Sequence, residues 1–412
     1  MIPVPRAGDK VRCGVAERQY EATYITDRDG MAVVKLESGY NIGVPPEDVI
    51  FKERPELESP ALAPPVQRED LPELAIISTG GTIASRVDYR TGAVTSQFSA
   101  EDILRAIPGL ASVGRFRTEQ ISSILSENMT VGIWQDLARA IYREVKSGVA
   151  GVIVTHGTDT MAYSAAAVSF MVETPVPIIF VGSQRSADRP SSDNAMNALC
   201  AASAAVSPLG EVAVVMHATT SDDRCALHRG TRVRKMHSSR RDAFQSLGIA
   251  PLGYVEYPGL PVTLSPEAVP RGSRKPALHG KMEERCGLLS FHPGMDPSIL
   301  EPYRDYRGLV IAGTGLGHVS GDLVKGLAGL VRDGTSVVMT SQCLHGRVCD
   351  RVYDTGRDLI AAGVMEGEDM LPEVALVKLM WVLGQTDDHE KVRALTGENL
   401  RGEIRRRSLH GL

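Results

Sequence analysis

Four short, almost wholly apolar runs recur through the first half of the chain: LAIIS from Leu74, GVIVT from Gly151, VPIIFVG from Val176 and VAVVM from Val212. A strand with one wet face alternates polar and apolar residues. Continuous apolar runs of this length suit strands buried on both faces, as in a parallel sheet covered by helices. Between the first two, Trp134, Leu137, Ala138, Ile141 and Val145 fall at helical spacing within Val131 to Val145. After the second, MAYSAAAVSFMVE is full of small residues that let a helix lie close on a sheet. This alternation predicts a doubly wound α/β domain. From Arg285 the pattern restarts with GLLSF, GLVIAGTG and SVVMTSQC, which predicts a second, smaller α/β domain.

The N-terminal segment follows a different rule. YEATYI and MAVVKL are rich in β-branched and aromatic residues, are separated by Asp29-Gly30, and are followed by a Ser38-Gly39 turn into YNIGV. A small β-barrel is expected, too small to be stable alone and docked on something larger. The stretch ERPELESPALAPPVQREDLP, rich in proline and charge and without periodicity, reads as a linker. The expected class is therefore α/β, with a small N-terminal β-barrel followed by two α/β domains, the larger first. The expected boundaries are 1–52 for the barrel, 53–72 for the linker, 73–265 for the larger domain, 266–284 for a second linker and 285–412 for the smaller domain. A length of 412 residues fits two or three domains.

Two of the apolar runs end in threonine-bearing glycine turns, Thr79-Gly80-Gly81-Thr82-Ile83-Ala84 and Thr155-His156-Gly157-Thr158-Asp159-Thr160. Ligands of open parallel sheets bind at the carboxyl ends of the strands, so both turns are expected at one pocket. A threonine hydroxyl becomes a nucleophile only with a base, a lysine or a low-dielectric site beside it. Asp159 stands next to Thr158, and Lys235 lies in a separate segment. These are parts for nucleophilic acyl transfer.

TGGTIA, VTHGTDTMAYSAA and VRKMHSSRRDAF resemble the three signature segments of the bacterial-type L-asparaginase family, with a resemblance running from about Glu73 to the C-terminus. The whole chain, YEATYITDRDGMAVVKLESGYNIGV included, resembles the branch of that family formed by the D subunits of archaeal glutamyl-tRNA(Gln) amidotransferases, which release ammonia from an amide donor. The resemblance implies Thr82 as nucleophile and Thr158, Asp159 and Lys235 as the proton-handling relay, with Asp159 also on the substrate α-amino group. It implies Tyr89 on a closing loop that also carries Asp88. Ser126 and Glu127, in a serine-bearing turn, would grip the α-carboxylate, with Gly81 and Gly157 lining the site. An acid from a neighbouring subunit completes such sites, and Asp350 and Asp354 are the two candidates for it.

The same resemblance implies glutamine or asparagine as substrate and no cofactor in this chain, with ATP and Mg at a partner E subunit. It also implies Glu-tRNA(Gln) reached through the complex, and a homodimer within a heterotetramer. A free-standing cytoplasmic asparaginase is the alternative, distinguished by lacking the N-terminal barrel. A non-catalytic scaffold that positions tRNA is the third reading, resting on the basic stretches 229–241 and 401–407.

Other features exclude rather than suggest. A net charge of −5 argues against a chain that binds nucleic acid over its whole surface. No apolar h-region opens the chain and no stretch nears the ~20 residues of a membrane span, so the cytoplasm is expected. The six cysteines are scattered and form no CxxC pair. Gly313-Thr314-Gly315-Leu316-Gly317 fails the spacing of a dinucleotide loop and reads as a strand-to-helix turn. His156 and His318 have no metal-ligating company in the sequence.

Overall fold

The computed structural model describes residues 4–15, 18–28, 30–37, 40–54, 67–80, 86–87, 94–95, 103–104, 106–186 and 191–408. Five antiparallel strands come first: β1 (Lys10–Val15), β2 (Arg18–Arg28), β3 (Met31–Leu36), β4 (Asn41–Val44) and β5 (Val49–Glu53). Their order is β4-β3-β2-β1-β5. This is the segment where a barrel is expected; among the described residues no ladder joins β4 to β5, so it is an antiparallel sheet with two edges. Alternate residues Val11, Cys13, Ala22, Tyr24, Ala32 and Val34 form its own small core. Much of the expected linker, residues 55–66, lies outside the described residues.

The central sheet has eight strands: β6 (Glu73–Gly80), β9 (Arg115–Ile124), β10 (Gly151–Thr155), β12 (Ile178–Val181), β13 (Val212–His217), β14 (Arg224–Arg229), β17 (Gly253–Glu256) and β18 (Val262–Leu264). The numbers between belong to short ladders, β7 (Arg86–Val87) with β8 (Val94–Thr95), β11 (Val172–Glu173) with β19 (Ala277–Leu278), and β15 (Val233–Lys235) with β16 (Phe244–Ser246). The order β18-β17-β14-β13-β12-β10-β6-β9 runs parallel from β13 to β9 and antiparallel beyond. The four apolar runs are β6, β10, β12 and β13, adjacent at its centre. Their alternate residues feed two cores: Leu74, Ile76, Ile153 and Ile179 on one face, Ala75, Ile77, Val152 and Val154 on the other.

Helices α1 (Val131–Ser147) and α2 (Met161–Met171) contribute to the second core, and α3 (Asn194–Val206) to the first. Thr130 caps α1 by accepting from the Ile133 amide at 3.3 Å, and the expected stripe Trp134, Leu137, Ala138, Ile141 and Val145 is buried. Helix α2 is buried almost all round, which its small residues permit.

A four-stranded parallel sheet follows, β20 (Cys286–Ser290), β21 (Gly308–Gly313), β22 (Ser336–Ser341) and β23 (Met365–Glu366), with α4 (Gly321–Arg332), α5 (Asp354–Ala361), α6 (Pro372–Gln385) and α7 (His389–Gly397). The second core of the central sheet continues into this part through Val310, Val338, Val374 and Trp381. Phe170 of α2 stacks on Trp381 of α6 with ring centroids 6.0 Å apart. The tail is pinned by a fully buried pair, Lys378 Nζ to Glu403 Oε1 at 2.6 Å, and Glu403 also accepts from the Leu400 and Arg401 amides. Among the described residues no helix is long and apolar enough to cross a membrane.

Candidate functional site

Strands β6 and β10 are parallel neighbours with Ser78 opposite Thr155, so both threonine turns leave the same edge of the sheet from adjacent strands. The Thr79 hydroxyl ties the two exits together by donating to the Thr155 carbonyl at 3.0 Å. Beyond Gly80 the first turn passes out of the described residues, and Gly81, Thr82, Asp88 and Tyr89 all lie there.

The second turn is fully described. Lys235, the last residue of β15, donates from Nζ to Thr158 Oγ1 at 2.9 Å and to Asp159 Oδ1 at 2.7 Å. Thr158 is buried, the Lys235 side chain is 14% exposed, and the Asp159 side chain is 68% exposed. A covered hydroxyl, a largely covered amine and an open carboxylate therefore meet at the carboxyl edge of the sheet. The strand sends successive side chains to opposite sides, so Arg234 faces away from Lys235 and pairs with Glu373 at 3.4 Å.

Ser126 is brought to the same turn. Thr160 donates from Oγ1 to the Ser126 carbonyl at 2.7 Å, and Gly157 packs directly against the serine. A Cβ on Gly157 would lie 2.7 Å from Ser126 Cβ and 2.9 Å from its Oγ, so only glycine fits. Ser126 is buried whereas Glu127 is exposed. Sequence reasoning missed two contributors. Thr160 offered no signal, because its partner is far along the chain. Gly182 supports the turn from below, since a Cβ there would lie 2.7 Å from the His156 carbonyl and 3.0 Å from Thr158 Cγ2. Its place at the end of the VPIIFVG run was the available clue.

His156 is completely buried against Phe180, and burial lowers its pKa to about 4. Its ring is therefore neutral, with Nδ1 2.7 Å from the Gly157 carbonyl. Among the described residues no group of three or more His, Cys, Asp or Glu is placed to hold a metal ion.

Of the two acids considered for a neighbouring subunit, Asp350 is 0% exposed inside its own chain, with both carboxylate oxygens unpaired among the described residues. Asp354 is exposed and pairs with Arg357 one helical turn away. Many arginines of the basic stretches are committed to acids of this chain: Arg232 to Asp369, Arg240 to Asp242, Arg241 to Asp222, Arg229 to Glu211, Arg401 to Glu173 and Arg405 to Glu267. The Gly313–Gly317 segment is a tight turn after β21, closed by Thr314 and His318.

This fold belongs to a known class. Residues 73–267 match the family model described as asparaginase, N-terminal, and residues 285–395 match the glutaminase/asparaginase C-terminal domain. The chain belongs to the asparaginase family, as the D subunit of an amidotransferase with an asparaginase-type hydrolase domain. It is 53% identical to the glutamyl-tRNA(Gln) amidotransferase D subunit of Methanosarcina mazei, over 97% of this chain and 98% of that one. With the corresponding D subunit of Archaeoglobus fulgidus it shares 52% identity, over 96% and 95%. The thermostable L-asparaginase from Thermococcus kodakarensis superposes with a TM-score of 0.72 at 33% identity, covering 81% of this chain and 99% of its own. L-asparaginase I from Vibrio cholerae superposes at 0.70 with 30% identity, over 81% and 99%.

Proposed function

We propose that this chain hydrolyses a carboxamide, with glutamine as donor and asparagine as the alternative, and hands the ammonia to a partner E subunit that converts Glu-tRNA(Gln) to Gln-tRNA(Gln). The observation that carries the hydrolytic half is the contact of one largely covered amine, Lys235, with both the Thr158 hydroxyl and the Asp159 carboxylate. A lysine held this way can take a proton from a threonine hydroxyl when neutral and be stabilised as an ammonium by the carboxylate.

Thr82 is the proposed nucleophile. Its oxygen attacks the amide carbon while its proton passes toward the Thr158–Lys235–Asp159 relay, and the tetrahedral oxyanion is met by backbone N–H groups of the glycine turns. The relay returns the proton to the leaving nitrogen, so ammonia departs and a threonyl ester remains. Water then attacks the ester, giving up a proton to the relay, which passes it to the Thr82 oxygen as the ester bond breaks, so that the acid leaves and Thr82 is restored. Asp159 also receives the substrate α-amino group, Ser126 takes the α-carboxylate with Glu127 beside it, and Tyr89 closes over the site.

Supply to a partner is supported by relatives that match 97% of the chain, and so most of the 72 residues that precede the asparaginase match. ATP and Mg belong to the partner in this reading. The test is ammonia release by the purified chain, alone and then with E subunit and Glu-tRNA(Gln). Stimulation by both, abolished in Thr82→Ala and Lys235→Met, is the expected result. A Lys235→Met enzyme with a wild-type pH profile would remove the relay. Brisk asparagine turnover by the chain alone, indifferent to tRNA, would favour the free-standing asparaginase that the superposition on the Thermococcus kodakarensis enzyme recommends as the second reading.

A further inference from the structure

A run of polar side chains links the turn beneath Thr158 to the loop that follows Lys235. Asp193, fully buried at the start of α3, accepts from the Gln184 and Arg185 amides at 2.9 Å each. Asn197, also fully buried, donates from Nδ2 to Asp193 Oδ2 at 2.9 Å and to the carbonyl of Gly182 at 3.0 Å. On its other side Asn197 Oδ1 is 2.6 Å from Nδ1 of His217, the last residue of β13. His217 Nε2 faces Asp222 Oδ1 at 3.3 Å, and Asp222 takes the guanidinium of Arg241, which also reaches the Thr220 carbonyl. Arg241 lies in the loop from Lys235 to β16, with its side chain 13% exposed.

Hydrogen-bond direction fixes the protonation of this run. The Asp193 carboxylate, the Gly182 carbonyl and the Met216 sulfur that meet Asn197 Nδ2 are all acceptors, so Oδ1 must be the accepting end and His217 Nδ1 must carry the proton. The Cys225 thiol on β14 donates to the same Oδ1 at 3.4 Å. A neutral His217 therefore has a bare Nε2 lone pair turned toward a carboxylate oxygen, two acceptors with no hydrogen between them. The contact becomes a hydrogen bond only with a second proton on the ring. The groups facing His217 are Asp193 and Asn197 from α3, Cys225 from β14 with Cys200 beside it, and Asp222 and Arg241 from the loops. Burial lowers the His217 pKa below its ordinary value, with Asp222 and Asp193 opposing.

We propose that Asn197, His217, Asp222 and Arg241 are positioning residues for the amide-hydrolysing site, holding the loop beyond Lys235 to the turn that supports Thr158, and that the His217–Asp222 link closes only on the doubly protonated ring. The positioning role rests on the reading of Lys235 and Thr158 given above. Acidification tightens the tether, whereas at neutral pH Arg241 still reaches Asp222 and the Thr220 carbonyl but the step from Asp222 to His217 stays open.

The test uses the full-length chain with 15N-labelled histidine, together with amide hydrogen exchange of residues 236–243 corrected for intrinsic rates. In the wild type the neutral ring should carry its proton on Nδ1, and the loop should be more protected at pH 4.5 than at pH 7.5, the acid limit being set low because burial lowers the His217 pKa. Asp222 is 59% exposed, so Asp222→Asn leaves the fold intact. His217 Nε2 and Arg241 meet the same oxygen, Oδ1, so an asparagine cannot donate to the ring and accept from Arg241 at that point, and the pH dependence of protection should shrink. Arg241→Gln should remove the pH effect and lower kcat for amide hydrolysis about tenfold with KM within about twofold, because a misplaced base costs rate rather than binding. Arg241→Lys should recover part of that loss. A neutral His217 protonated on Nε2, or an equal pH dependence of protection in wild type and Asp222→Asn, would overturn the proposal. A wild type that releases no ammonia from any amide would sink the function proposed above, while the two spectroscopic readouts still decide the link.

Discussion

Asp350 offers the clearest measurement of an electrostatic cost in this fold. Its side chain is 0% exposed, neither oxygen has a partner among the described residues, and Glu366 adds a like charge nearby. Burial first, and then Glu366, push its pKa from 3.8 up to about 7. The folded state thus holds this proton more tightly than the unfolded chain does. The resulting stabilisation is complete below pH ~4 and is lost as pH rises toward and through about 7. Its ceiling is about 4 kcal/mol, from the difference between the two pKa values. Asp350→Asn keeps the shape and removes the titration, at the cost of a buried amide donor worth about 1–3 kcal/mol if unpaired. The variant should therefore be less stable than wild type at pH 4.5 and should match or exceed it at pH 8. Urea denaturation midpoints of both proteins, measured every half unit from pH 4.5 to 8, give the comparison directly. A constant difference between the two curves would mean that Asp350 titrates as an ordinary carboxylate and that the reasoning from burial is wrong.

Gly157→Ala should cut amide hydrolysis about 100-fold or more while costing about 1–3 kcal/mol of stability, because the new methyl must displace Ser126. Steady-state kinetics beside a thermal melt checks it, and a fully active variant would show that the Ser126 contact has no bearing on the site. Lys378→Met alone should cost about 3–5 kcal/mol by leaving the buried Glu403 charge without its cation, and adding Glu403→Leu should recover part of it, the Leu400 and Arg401 amides then losing their acceptor. Denaturation midpoints of the single and double variants decide this, since equal losses in both would mean that the charges matter less than the tail's backbone contacts.

Much of the central sheet was legible because its four middle strands are buried on both faces and leave almost unbroken apolar runs. The α1 stripe and strand β3 were readable for the same reason, a burial period written directly in residue type. Strand β9 escaped notice: RFRTEQISSI lies at the sheet's edge and is mostly polar, so no period distinguishes it from loop. Strands β1 and β5 were hidden by the arginine and lysines on their outward faces. At the site, motif resemblance singled out Thr158, Asp159 and Lys235, and the fold brings the Lys235 amine within hydrogen-bond distance of the other two. It was silent on Asn197, His217 and Asp222, whose residue types are ordinary and whose partners sit in other elements. The basic stretch from Arg229 to Arg241 looked like a surface for a polyanion, yet the acids that answer Arg232 and Arg234 lie more than a hundred positions later, at Asp369 and Glu373.

The core shared between the two α/β parts has a consequence for synthesis on the ribosome. Helix α2 is made early, but Trp381, which stacks on its Phe170, and the Lys378–Glu403 clasp belong to the last few dozen residues. A nascent chain that has completed the central sheet must hold the apolar flank of α2 in solvent until α6 leaves the exit tunnel. Pausing late in translation should then draw chaperones more strongly than pausing early, even though most of the hydrolytic residues would already be outside.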